Sequence, residues 1–304
     1  MTPGELFLQQ LINGLTIGAV YALIALGYTM VYGIIQLINF AHGEVFMVGG
    51  YLGLAALLAL GLPSSGSGTL GGLLITLLAA GVGCGLLGLI VERIAYRPLR
   101  QAPKLSVLIT AIGVSFFLQN AVMIGFGAQD RYVPSLVPLV RWSAGAVTVT
   151  LMQGIIFGVA LLLMVGLQGI VYGTSLGRQM RATAQDPLAA RLMGISVDRV
   201  IAATFAIGSM LAGIGGILFG MYYSTINFHD GYLTGLKAFT AAVLGGIGNI
   251  PGAMLGGLIL GLLEGLGAGY ISTQWKNVVA FGVLVLVLLA RPRGLLGERV
   301  AERT

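Results

Sequence analysis

The residues able to do chemistry are few, and they sit among apolar neighbours. Asn39, His42 and Glu44 share the segment 39–44, and Lys237 stands at the start of the apolar run 238–249. An ionisable group in hydrocarbon costs about 2.5–3.5 kcal/mol on insertion scales, so such residues tend to face a cavity or a partner. Each segment reads as a helix start carrying an ionisable residue, followed by small residues and a Gly-Gly pair (Gly49-Gly50, Gly245-Gly246). That pattern fits pseudo-symmetric broken helices whose N-terminal ends point to a midplane path. The plainer alternatives stay open: His42 and Glu44 as a polar helix cap at the interface, and Lys237 snorkelling to the headgroups.

Gly257, Gly261, Gly265 and Gly269 recur at a spacing of four, which is a small-residue stripe suited to tight packing on another helix. Glu264 flanks that stripe and so requires a partner. His229 and Asp230 are two isolated potential ligands, which make no metal site, and a loop role is expected for them. No nucleophile–base pair, paired-Asp motif or His-Glu metal motif occurs, which argues against an enzyme. No Gly-x-x-x-x-Gly-Lys-Ser/Thr phosphate loop occurs either. If ATP drives this protein, the nucleotide is bound by another polypeptide, and no cofactor is expected in this chain. The lone Cys84 excludes a disulfide framework and reads as a small packing residue.

The most polar stretch between apolar runs is 177–199. Asp186 suits an N-cap with Pro187 at the first helical position, and Gly194 suits the residue after a helix end. The reading is a two-turn helix over 187–193, preceded by a basic helical turn that carries Arg178 and Arg181. Ala189, Ala190 and Met193 would offer a small, soft surface with Arg191 beside it. Such a helix is either a loop that only carries charges or a knob that fits a groove in a partner.

The elements that must position these residues follow from composition. The chain is 57% hydrophobic and 9% charged, with a mean hydropathy of +0.97. Soluble domains carry about 25% charged residues, so lipid must be the solvent here. The expected fold is all-α: a polytopic transmembrane helical bundle of about 8–10 spans, with pseudo-symmetric halves and broken helices. The spans read as 7–32, 43–61, 70–92, 105–126, 151–172, 200–224, 235–249, 252–270 and 276–291. The run 61–68 is turn material, and 235–249 is short enough to be broken or re-entrant. The whole chain, 1–304, reads as one domain with a polar loop at 175–199. The N-terminal residues 1–5 carry no Lys or Arg, which argues against a cleaved signal peptide.

Lys and Arg gather in three clusters: Arg93, Arg97, Arg100 and Lys104; Arg178, Arg181, Arg191 and Arg199; Arg291, Arg293, Arg299 and Arg303. Positive residues in short loops stay cytoplasmic. Two spans separate the first and second clusters, and four separate the second and third, so all three share a side. The N-terminus is then outside, the C-terminus cytoplasmic and the 127–150 loop external. The net charge of +6 is thus a topology signal and not a nucleic-acid patch.

Several strings carry a family resemblance: 21–35, 38–44, 92–98, 194–200 and 235–253. Through them nearly the whole chain resembles the permeases of branched-chain amino acid ABC importers, specifically the H-type subunit of the leucine-isoleucine-valine system. The resemblance implies a transport subunit in the bacterial inner membrane that works with a second permease subunit, usually a different chain. It also implies two ABC ATPase subunits and a periplasmic substrate-binding protein. ATPase coupling would fall to 178–199, with Arg178, Arg181, Asp186, Pro187, Arg191 and Gly194. Asn39, His42, Glu44 and Lys237 would line the translocation path, where a zwitterion needs partners for both charges and helix N-termini suit its carboxylate. Related permeases carry other amino acids or urea, and a secondary transporter or channel needing no ATPase is the alternative class. The 127–150 loop departs from the family pattern in being short.

Overall fold

The computed structural model describes residues 2–61, 70–291 and 294–297. Its helices are α1 (Pro3–Ile35), α2 (His42–Ala59), α3 (Leu70–Val91), α4 (Lys104–Phe126), α5 (Leu151–Gly173), α6 (Ser175–Gln185), α7 (Pro187–Leu192), α8 (Val197–Tyr223), α9 (Asp230–Gly245), α10 (Ile250–Tyr270) and α11 (Lys276–Ala290). A π-helical turn, Glu92–Tyr96, and a 3-10 turn, Arg97–Leu99, link α3 to α4. Among the described residues, eight helical stretches are long and apolar enough to cross a membrane, and the 16-residue α9 is not one of them. The expected 61–68 turn falls mostly at 62–69, outside the described residues, as do Arg293, Arg299 and Arg303.

Helix boundaries follow local chemistry. Thr2 opens α1 with a capping box: its hydroxyl accepts from Glu5 N, and Glu5 accepts from Thr2 N. Thr150 and Gln153 form the same device at the start of α5. Asn249 caps α10 by accepting from Gly252 N, with proline in the first turn. α1 is apolar around its whole circumference and is buried along most of its length, as expected of a central helix.

Four short strands lie at one end of the bundle. β1 (Arg131–Tyr132) pairs antiparallel with β4 (Thr225–Ile226), and β2 (Arg141–Ala144) pairs with β3 (Val147–Thr150). The start of α1 is fastened to the same end. Gln9 exchanges hydrogen bonds with the backbone of Thr148 at 2.8 and 3.1 Å, and Tyr270 donates to Pro3 O at 3.4 Å. At the other end Arg97 and Arg100 reach Asp198 at 2.7 and 2.5 Å. The first two basic clusters therefore meet at one end. The 294–297 segment is tied near the end of α9, where Leu295 N donates to Leu244 O and Leu296 N to Gly245 O.

The centre is built on close backbone approach. Gly257 lies against Ala22 of α1, Gly261 against Gly18, Gly265 against Gly14 and Gly269 against Gln10. A Cβ on Gly257 would stand 2.6 Å from Ala22 Cα, and one on Gly265 would stand 2.9 Å from Gly14 Cα. Two small-residue stripes thus face each other, although only the α10 stripe stands out in the sequence. By contrast, Phe116, Phe117, Ile124, Leu162 and Leu289 point outward from α4, α5 and α11. Exposed aliphatic and aromatic surface of this kind belongs in hydrocarbon.

Replacing Gly261 with Val should cost about 1–3 kcal/mol of stability through overpacking. Gly158→Ala is the control, because nothing lies within 4 Å of a Cβ at that position. Unfolding in detergent followed by circular dichroism should separate the two, with only the Gly261 variant shifted.

Candidate functional site

α2 begins inside the bundle, with Ala41, His42 and Glu44 buried, whereas α9 begins just after β4, with His229 exposed. After α1 ends, with Gln36 in the left-handed conformation (φ 55°), the chain turns back before α2 starts. Asn39 makes that turn: its Oδ1 accepts from Ala41 N at 3.0 Å and from Tyr96 OH at 2.7 Å, and its carbonyl accepts from His42 N at 3.0 Å. Asn227 does the same before α9, accepting from His229 N at 2.9 Å, while Asn227 N donates to Asp230 Oδ2 at 2.7 Å. The two starts meet. A Cβ on Gly43 would collide with Gly231 O and would stand 2.8 Å from Gly235 Cα. Only glycine permits this contact.

His42 and Glu44 occupy that junction, 1% and 2% exposed. The His42 ring sits edge-on to Tyr28 with centroids 4.8 Å apart, and it lies against Gly27 of α1. Glu44 Oε1 accepts from Ser115 Oγ at 3.3 Å. His42 Nε2 and Glu44 Oε2 have no hydrogen-bond partner among the described residues. Buried polar atoms without partners are rare, and each calls for a reason.

Lys237 lies elsewhere. Sequence reading placed it at a helix start comparable to that of His42, but α9 begins at Asp230, and Lys237 falls midway along the helix. Its Nζ donates to Glu264 Oε1 at 3.0 Å and to Tyr21 OH at 3.4 Å, and Tyr21 OH donates to Glu264 Oε2 at 2.8 Å. The triad joins α9, α10 and α1. Glu264 has a partner after all, on a helix that no spacing rule connects to it. His229 and Asp230 bracket the start of α9, with His229 Nδ1 2.9 Å from Gln119 Nε2. No group of three or more potential metal ligands occurs among the described residues.

The polar segment forms α6 and α7. Asp186 Oδ1 accepts from Leu188 N and Ala189 N at 2.9 and 3.0 Å, Pro187 is the first residue of α7, and Gly194 follows it at φ 81°. Of the expected outward residues, Ala189 and Met193 are exposed, and Ala190 is not. Ala190 faces inward, because Val197, Ile201 and Phe205 pack on that side. Leu188 and Leu192 join Met193 on the outward side, 69%, 82% and 82% exposed. Arg178 is exposed. Arg181 bends back, donating to Val171 O and lying 5.4 Å over the Tyr172 ring. It thereby ties α6 to the last turn of α5, where a helix leaves carbonyls unsatisfied. Arg191 stands 3.9 Å from Asp198. Sequence reading assigned no role to Ser115, Tyr96 or Glu92, although Tyr96 and Glu92 lie in the 92–98 string.

A bundle of apolar helices, interrupted midway with unsatisfied ionisable groups at the break, is the architecture of a polytopic membrane permease. Residues 10–288 match the family model described as the branched-chain amino acid transport system permease component, and the chain belongs to that family. It is 49% identical over 98% of both chains to the high-affinity branched-chain amino acid transport system permease protein BraD of Pseudomonas aeruginosa. It is 48% identical to the corresponding LivH protein of Escherichia coli K12, over 98% of this chain and 97% of that one. A probable branched-chain amino acid permease of Methanocaldococcus jannaschii is 28% identical over 90% of this chain and 88% of its own.

Lys237→Met or Glu264→Gln alone should destabilise the protein by about 3–5 kcal/mol by leaving one buried charge unpaired. The double variant Lys237→Met, Glu264→Met should recover most of that loss. Thermal unfolding of the purified permease is the measurement, and equal losses in single and double variants would contradict the pairing.

Proposed function

We propose that this chain is a membrane-spanning permease subunit of an ATP-driven importer that carries branched-chain amino acids across the bacterial inner membrane. Its full-length kinship with permeases of that named activity carries the substrate class. The observation that carries the route is the α2–α9 junction, where His42 Nε2 and Glu44 Oε2 lie buried without partners. A zwitterionic solute brings an ammonium for Glu44 Oε2, and the N-terminal ends of α2 and α9 suit its carboxylate. Gly43, Gly231 and Gly235 hold the junction shut, so passage requires α2 and α9 to part. Asn39 acts here by setting the start of α2. Lys237 acts by fixing α9 to α10 and α1.

The partners in this reading are a second permease, two ABC ATPases that hold the nucleotide, and a periplasmic binding protein. The basic end of the bundle, with Arg97, Arg100 and Arg191, faces the cytoplasm by the positive-inside rule. The start of α1 and the two small sheets then face the periplasm. α7 is the docking knob: Asp186, Pro187 and Gly194 fix its ends, and Leu188, Leu192 and Met193 form an apolar surface outside the membrane core. Arg178 and Arg191 rim that surface, and Arg181 braces α6 behind it.

Glu44→Gln should lower initial leucine uptake by reconstituted importer about tenfold or more, the scale of a lost hydrogen bond to a charged group. Wild-type uptake would remove Glu44 from the route. Leu192→Asp should abolish co-purification of the ATPase subunits while the permease stays folded, and an intact complex would place the docking surface elsewhere.

A further inference from the structure

The string 92–98, prominent in the sequence, takes no part in the route or in the docking surface, yet it lies between them. We infer that the 92–100 segment is a strut that transmits movement of α7 to the start of α2, with Tyr96, Asn39, Arg100 and Asp198 as its positioning residues. The inference rests on the proposed docking of an ATPase at α7.

The links are continuous. α7 runs through Gly194 into the first turn of α8, where Asp198 is gripped by Arg97 at 2.7 Å and by Arg100 at 2.5 Å. The same Arg100 guanidinium pairs with Glu92, which is buried. These two arginines therefore lock the α8 start to the turn that follows α3. Within that turn the backbone is π-helical over Glu92–Tyr96. π-Helical turns are uncommon and frequently mark functional positions. Here the turn aims Tyr96 inward, and its hydroxyl donates to Asn39 Oδ1 at 2.7 Å. That oxygen also accepts from Ala41 N, and the Asn39 carbonyl accepts from His42 N. The next residues along α2 are Gly43 and Glu44, at the closed junction.

An apolar layer runs beside the polar chain. Ala190 of α7, Tyr96, Val31 of α1, Val91 of α3 and Phe205 of α8 share one buried cluster, separate from the main core. The Tyr96 and Phe205 rings lie 5.2 Å apart. The inward Ala190 thus sets α7 on the same layer that seats Tyr96. Close-packed layers move as units and do not deform continuously.

Tyr96→Phe is the direct test, because it keeps the ring on Phe205 and deletes only the hydroxyl. The complete importer, with ATPases, second permease and loaded binding protein, is reconstituted in vesicles. ATP hydrolysed per leucine imported is then measured. Loss of one buried hydrogen bond should raise that ratio about fivefold, with stimulated hydrolysis changed less than about twofold. Asn39→Ala should raise it at least as much, and the double variant should match Asn39→Ala alone, since both break one link. A wild-type ratio in Tyr96→Phe, additive effects in the double variant, or failure of Tyr96→Phe to assemble would each overturn the strut. Leu192→Asp separates the two readings. If it keeps its ATPase and imports leucine, docking at α7 fails whatever Tyr96 does. If it loses its ATPase while Tyr96→Phe imports at the wild-type ratio, only the strut fails.

Discussion

Hydrocarbon offers no water to a freed backbone N–H or C=O, and that constraint shapes this protein. A helix that begins inside the bundle must find partners for its first turn within the chain. Asn39 supplies part of the answer at the buried start of α2, and Asn227 makes the same turn at the exposed start of α9. Asn39 and Asn227 each accept from the backbone N–H two residues ahead, Ala41 and His229, immediately before α2 and α9. Gly43, Gly231 and Gly235 bring the two helices into backbone contact there. The same currency is spent between α1 and α10, where facing stripes of small residues let two backbones approach without side chains between them.

Ionisable groups obey a related rule, and the exceptions are informative. Lys237, Glu264 and Tyr21 satisfy one another across three helices, so the charge at the centre of α9 is internally balanced. Glu92, Arg100, Arg97 and Asp198 form a second balanced group at the basic end. Glu44 and His42 do not fit this bookkeeping. Each retains a buried atom without a partner, although both sit where helix N-termini favour negative charge. Arg100 Nε and the hydroxyls of Thr29, Tyr51 and Thr183 are likewise buried without a partner among the described residues, so what sets Glu44 and His42 apart is their place at the α2–α9 junction, on which the proposed route rests.

The two ends of the molecule also differ in kind. One carries β1–β4 and the fastened start of α1, joined by short antiparallel pairings. The other carries the ion pairs and α7, a short helix held by a cap, a proline and a buried alanine, with leucine and methionine turned outward.

Much of this was legible in the sequence, because lipid imposes a simple code. Charge-free runs locate α1–α5, α8, α10 and α11 within a few residues, and Asp186, Pro187 and Gly194 announce α7, since capping and left-handed turns depend on local residue types. The glycines of α10 declare a packing face by spacing alone. What spacing does not encode is which faces meet. That Gly261 finds Gly18, that Lys237 pairs with Glu264, that Ala190 turns inward, and that Tyr96 reaches Asn39 are all matters of helix rotation and crossing. Those are set by the sum of contacts over the whole bundle, and only the folded chain decides them.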